Sequence, residues 1–332
     1  KYYISYSKVI FKYQTIKKQI MKKKFKWGII GTGGIANAFA QDLIHLKNHK
    51  VTSVLSRNID TAKNNPLIPF CVFKLTGIAS FNLLQKLNNK STLNQEDKKE
   101  LYIVNKRLHH ICKKAKKCNI PILIDAEESW IQDAIDSIAE NLMFTYNKEN
   151  VIIYNTIQLY RWDKFGDIIK LHRKAKKQKF KIGLKLVRGA YMEKEEKRAK
   201  IKNYKSPIQP SKEACDLDYN KASEYCIKNI QDISSCFGTH NEKSTALIID
   251  LMHNHNIKNN DPRIYFSQLL GMSDNISYHL AHFKYNIAKY VPYGPVKEVL
   301  PYLIRRAEEN SAITGQTKQE IKRLKKILKK IQ

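Results

Sequence analysis

Acidic residues are scarce in this chain. Asp and Glu number 30 against 60 Lys and Arg in 332 residues, a formal net charge of +30. Such an excess ordinarily points to nucleic acid, but two companions of that function are missing. No zinc-finger spacing occurs, and aromatic residues are not interleaved with basic ones as a base-stacking platform requires. Lysine is spread along the whole chain together with much Asn and Ile, so the charge reads as compositional bias and no nucleic-acid partner is expected. Cysteine is sparse too. Cys71, Cys112, Cys118, Cys215, Cys226 and Cys236 include no C-x-x-C pair, which makes a reduced, intracellular chain the default. His253 with His255, and His109 with His110, lack a set of partner ligands, so no metal site is expected. No apolar run is long enough to span a bilayer, and lysines interrupt Tyr2 to Ile20, so no signal peptide is expected.

What is present alternates short apolar runs with longer helical periods. Hydrophobic residues make up 42% of the chain, enough for a sizeable buried core. Strands are expected at Phe70 to Lys74, Ile122 to Asp125, Val151 to Thr156, Ile182 to Val187, Ser235 to Gly238, Ile264 to Ser267 and Asn286 to Tyr290. Helices are expected between them, among others at Lys98 to Lys117, Trp130 to Tyr146, Lys212 to Ile230 and Val296 to Asn310. Strands alternating with helices predict an α/β fold with a parallel sheet, seven such units approaching a closed (βα)8 barrel. Lys74, Asp125, Gln158, Lys185, Thr239–His240–Asn241 and Tyr290 fall at or just past the C-terminal ends of these strands, where such barrels place their chemistry. Ser129, just before Trp130, is expected to cap the following helix, and a strand-end cap is the plain alternative for Asp125.

Near the C-terminus, KYVPYGPVKEVLPYLIRRAEEN (Lys289 to Asn310) puts Tyr302, Arg305 and Arg306 on neighbouring parts of one helix face. Two adjacent guanidiniums are costly to hold together without an anion, and a carboxylate is their natural guest. A solvated basic surface with Glu308 and Glu309 as partners is the plain alternative. Other blocks, in order, are PFCVFKLTG (Pro69 to Gly77), ILIDAEESWIQDAID (Ile122 to Asp136), VIIYNTIQLYRWD (Val151 to Asp163), KLVRGAYMEKEEKRA (Lys185 to Ala199), GTHNEKS (Gly238 to Ser244) and FSQLLGMSD (Phe266 to Asp274). Together with the C-terminal block they resemble proline dehydrogenase, the flavoenzyme family that oxidises L-proline, over about residues 65–316. The resemblance implies a distorted (βα)8-type barrel, here incomplete at its first strand because the family's first strand has no counterpart before PFCVFKLTG, together with FAD, L-proline as substrate, 1-pyrroline-5-carboxylate as product and a quinone electron acceptor. It also implies that Arg305, Arg306 and Lys74 clamp the proline carboxylate. Tyr290 and Tyr302 would close over the ring, Leu269 would form an apolar wall, and Asp125 would lie beside the substrate. Gln158, Lys185, Arg188, Thr239, His240 and Asn241 would hold the flavin, with Lys185 near its reactive edge. A cation there would stabilise the charge that arrives with hydride. Arg188 has a structural alternative. Gly189 and Ala190 would let backbone approach a large ligand.

Before residue 65 a different resemblance is expected. Phe25 to Asn64 looks like the start of the glucose–fructose oxidoreductase type of NAD(P)-binding protein. Its Gly31-Thr32-Gly33-Gly34-Ile35-Ala36 turn follows a strand at Lys26 to Ile30. Gly31, Gly33 and Ala36 are read as a vestigial nucleotide loop, and Arg57 as a sign that the ancestor used NADP. The expected organisation is a basic, disordered leader at 1–24, a Rossmann-like β-α-β fragment at 25–64, the barrel at 65–316 and a basic amphipathic helix at 317–332. The first twenty residues read as translated upstream sequence, and Val51 to Leu55 as a stand-in for the missing barrel strand. The C-terminal helix could rest on an anionic membrane, so the expected location is cytoplasmic, or peripheral on the inner face of an energy-transducing membrane. An NADP-linked oxidoreductase and a chimeric chain with little activity are the alternatives.

Overall fold

The computed structural model describes residues 25–30, 49–55, 69–270 and 272–291. The chain divides into two compact units, one holding Lys1–Ile68 with Val291–Gln332, the other Pro69–Tyr290. In the first unit, strand β1 (Phe25–Ile30) pairs in parallel with β2 (His49–Leu55), with a register shift between Trp27 and Gly28. They form a two-stranded sheet of their own. Val51 to Leu55 therefore does not take the place of a barrel strand: its ladder bonds go to β1. The expected helices at Val296 to Asn310 and 317–332 lie outside the described residues.

The second unit is a seven-stranded parallel sheet in strict sequence order. Its strands are β3 (Cys71–Lys74), β4 (Ile122–Asp125), β5 (Ile153–Gln158), β6 (Ile182–Val187), β7 (Ile233–Gly238), β8 (Ile264–Leu269) and β9 (Ile287–Tyr290). Parallel neighbours need crossovers, and helices supply them. These are α1 (Phe81–Asn88), α2 (Gln95–Cys118), α3 (Ser129–Tyr146), α4 (Lys164–Gln178), α5 (Met192–Lys202), α6 (Lys212–Lys228), α7 (Glu242–Asn254) and α8 (Asp274–His282). Local chemistry marks their ends. Asn94 and Asp97 form a reciprocal capping box at the start of α2, and Ser80, Ser211 and Asn241 cap α1, α6 and α7. Ser129 does not cap α3. Its amide and hydroxyl both donate, at 2.6 Å, to the buried carboxylate of Glu195 in α5.

Strand periodicity splits the core in two. Ile122, Ile124, Ile153, Ile157, Ile182, Leu184, Leu186, Phe237, Ile264 and Phe266 point to the helices and join the large outer core. Residues of the opposite parity face inward. Phe70, Leu123, Tyr154 and Cys236, with Val72 and Tyr265, fill the floor of the interior. The sheet is curled. Strands β4 and β9 are five steps apart, ~24 Å in a flat sheet, yet the Tyr290 hydroxyl donates to Asp125 at 3.0 Å. At the other end the Phe70 ring, just before β3, stacks edge-on to Tyr265 of β8 with centroids 4.8 Å apart.

Candidate active site

The inward parity that builds the apolar floor continues upward into polar residues. Lys74, Asp125, Thr156, Gln158, Lys185, Leu269 and Tyr290 all share it, each at or near the C-terminal end of its strand. The last rung of the β3–β4 ladder pairs Lys74 with Asp125, and the last rung of β8–β9 pairs Leu269 with Tyr290. An apolar wall beside a phenol is thus a consequence of register.

Asp125 is the hub. One carboxylate oxygen accepts from the Lys185 ammonium at 2.7 Å, the other from the Tyr290 hydroxyl at 3.0 Å. The same ammonium lies 4.9 Å from the centre of the Tyr290 ring, a cation–π contact. Asp125 is 8% exposed and so is Lys185, so each desolvated charge is matched by the other. The carboxylate of Asp125 therefore bonds to Lys185 and Tyr290 rather than to the first amides of the next helix, as a strand-end cap would. Thr156, the register partner of Lys185, carries a buried hydroxyl without a hydrogen-bond partner among the described residues.

Lys74 is exposed, and its ammonium bonds to the Tyr191 hydroxyl at 2.5 Å. Burial of the amine works against its charge, but Tyr191 and the carboxylates Glu127 and Asp125 outweigh it and hold the Lys74 pKa above the ordinary lysine value. Tyr191 was not among the expected site residues, although it lies in the block that begins at Lys185, just past the end of β6. The rule that strand ends carry the chemistry would have found it. Its ring also lies 5.6 Å from the Lys194 ammonium.

The residues expected around a flavin fall into two groups. Gln158 is buried at the end of β5 and donates from Nε2 to the Glu127 carbonyl at 2.8 Å. Arg188 is engaged three ways: Nε to Asp216 at 2.5 Å, Nη1 to the Thr239 hydroxyl at 2.7 Å and Nη2 to the Ser244 hydroxyl at 2.9 Å. Its guanidinium also stacks on Tyr219. Those contacts favour its structural alternative. Thr239 is buried and anchored to Ser267 through its amide, and His240 Nδ1 lies 3.0 Å from the Ser273 hydroxyl. Asn241 caps α7 by accepting from the Ser244 amide, a role its position before a helix makes legible. Gly189 has φ 139°, and a Cβ there would meet the Tyr160 ring at 2.5 Å. An internal aromatic neighbour is thus enough to require glycine there.

Tyr302, Arg305 and Arg306 lie outside the described residues, as do Gly31, Gly33 and Ala36. Among the described residues no cluster of His, Cys, Asp and Glu is arranged to hold a metal, and no helix is long and apolar enough to cross a membrane.

The family model described as proline dehydrogenase matches residues 12–319. Proline dehydrogenase 1, mitochondrial, of Drosophila melanogaster is 39% identical over 225 residues, covering 65% of this chain and 33% of its own length. The Dictyostelium discoideum protein of the same name is 32% identical over 324 residues, covering 84% of this chain and 56% of its own. Among solved structures, a bifunctional proline utilization A (PutA) protein superposes with a TM-score of 0.66 at 20% identity, over 88% of this chain and 28% of that one. That likeness concerns the fold. The chain spans between a third and somewhat over half the length of these two curated relatives. The match begins at residue 12 and runs through 25–64, so it does not start near Asn65 as expected. Nothing found supports a separate NAD(P)-binding fragment there, nor the NADP-linked alternative.

Proposed function

The chain belongs to the proline dehydrogenase family, and from that premise we propose that it oxidises L-proline to 1-pyrroline-5-carboxylate, using FAD and passing electrons to a quinone. The observation that carries the reading is the Asp125–Lys185–Tyr290 cluster at the mouth of a curled parallel sheet. Proline loses two electrons and two protons across its ring nitrogen and the adjacent carbon. No side chain accepts hydride, and FAD supplies that capacity.

The strand ends fit such a cofactor chemically. A buried, unpartnered Thr156 hydroxyl stands beside the Lys185 cation on the inward parity, and polar groups succeed the apolar floor at the same level. Gln158, Lys185, Thr239, His240 and Asn241 would hold it, with Arg188 bracing Thr239 from behind. Lys74 would bind the substrate carboxylate together with Arg305 and Arg306. Asp125 would balance the cations and aim Tyr290 at the ring, Leu269 would exclude water on one side, and Tyr302 would close the pocket. Membrane contact through the C-terminal residues would bring the enzyme near a quinone.

The purified protein should carry flavin absorbance bands and reduce a soluble quinone analogue on addition of L-proline. A folded protein that neither contains nor takes up FAD would sink the reading.

A further inference from the structure

Beyond the strand ends, one side chain is engaged at every polar atom. Glu127 lies two residues past Asp125 and is 4% exposed. Its carboxylate accepts from the Thr76 amide at 3.1 Å and from the Thr76 hydroxyl at 2.6 Å. Its own amide donates to Gln132 Oε1 at 2.7 Å, and its carbonyl accepts from Gln158 at 2.8 Å. Thr76 in turn lies two residues past Lys74. Since Lys74 and Asp125 are partners on the last rung of the β3–β4 ladder, the Thr76–Glu127 bonds act as a further rung made of side chain. They tie the two loops together where backbone pairing has stopped.

This arrangement differs from the other carboxylate grips in the fold. Glu100 holds the amide and hydroxyl of Ser80, and Glu195 those of Ser129, but both fasten the start of a helix. Glu127 fastens one candidate substrate-binding strand end to the other. Buried carboxylates without donors are costly, so the Thr76 donors and the Glu127 acceptor depend on each other.

Resting on the reading of Lys74 and Asp125 given above, we propose that Glu127 is a positioning residue. It sets the distance between Lys74 and Asp125, and so the fit of the substrate carboxylate, without touching substrate. The two-point grip is specific for Thr or Ser at position 76, and its loss should be felt in binding more than in hydride transfer.

The test uses the full chain loaded with FAD, with E127Q, T76V, T76S and the E127Q/T76V double variant. E127Q leaves one acceptor oxygen, T76V removes only the hydroxyl, and T76S keeps both donors. E127Q and T76V should raise KM for L-proline about tenfold with kcat within about twofold and FAD content unchanged, the pattern of lost binding rather than lost chemistry. The double variant should be no worse than the poorer single one, because both remove the same contact. T76S should match the parent. An unchanged KM in both single variants overturns the proposal, as does a fall in melting temperature and FAD content with KM unmoved, which would mark a merely structural grip. The rate at which acetic anhydride acylates Lys74, read by peptide mass spectrometry, separates this proposal from the proposed function. If the parent does not oxidise proline, the functional reading fails. The positioning role then survives only if E127Q and T76V raise the Lys74 acylation rate at least about threefold.

Discussion

At the scale of single residues, charge balance decides what each group can do. Removing Asp125 as D125A leaves a buried Lys185 without its counter-charge, and breaking such a pair by one partner should cost about 3 kcal/mol or more. Urea unfolding would show this as a lower midpoint at unchanged slope. K185M removes the cation and leaves Asp125 with the Tyr290 hydroxyl as its hydrogen-bond partner among the described residues, so it should also destabilise, and the double variant should cost less than the two singles added together. Replacing Arg305 or Arg306 with Met should raise KM for L-proline by roughly 2 kcal/mol in binding terms, with flavin content unchanged. If both variants keep the parent KM, the carboxylate assignment is wrong. The inward residues were legible in the sequence because strand ends are where barrel chemistry sits. The pairings between them were not. That Lys185 reaches Asp125 depends on curvature, which no local pattern encodes. Arg188 shows the same limit from the other side: its Asp216 partner comes from α6, far along the chain.

At the scale of elements, all seven expected strands of the barrel unit form, with ends displaced by up to two residues. Their period-2 alternation is read directly from the chain, since Ile and Leu at one parity face the helices. Ser129 was misread because a cap supplied from another helix, Glu195, leaves no mark in the adjacent sequence. Close backbone approach is similarly silent. A Cβ at Gly183 would lie 2.4 Å from the Ile153 carbonyl oxygen and 2.7 Å from the Tyr154 ring. G183A should therefore force β6 away from β5 and lower stability by about 1–3 kcal/mol, visible as a lower melting temperature. Lys179 ends α4 in the left-handed region at φ 55°. K179G should raise stability by about 0.5–1 kcal/mol, and a fall instead would show that the lysine side chain matters more than the strain.

At the scale of the whole molecule, the pH range of stability follows from groups that bind protons differently when folded. The Lys86 ammonium holds the Asp97 carboxyl below the usual range, and the Arg263 guanidinium does the same for Asp261. The unfolded chain then binds more protons than the folded one in acid. Their contribution is present above about pH 4 and is lost as pH falls through the lowered values. Burial pushes the Cys112 and Cys226 thiols up to about 12. The unfolded chain releases those protons first, so stability is full below about pH 8.5 and declines above it. Denaturant midpoints measured from pH 3 to pH 10 should trace a plateau with a fall at each end. A flat profile would contradict both assignments.

The hydrogen bond between Tyr290 and Asp125 joins residues 165 positions apart. A ribosome adding roughly 5–20 residues each second needs on the order of ten seconds or more to travel that far. Once Lys185 has been made, 60 residues after Asp125, the two can meet for the rest of that interval, but the phenol that completes the cluster does not yet exist. The order of synthesis thus assembles the charged pair first and its aromatic cover last. Contacts of such sequence span close late in folding as well, so a chain interrupted before Ile287 would carry the ion pair of the pocket without its roof.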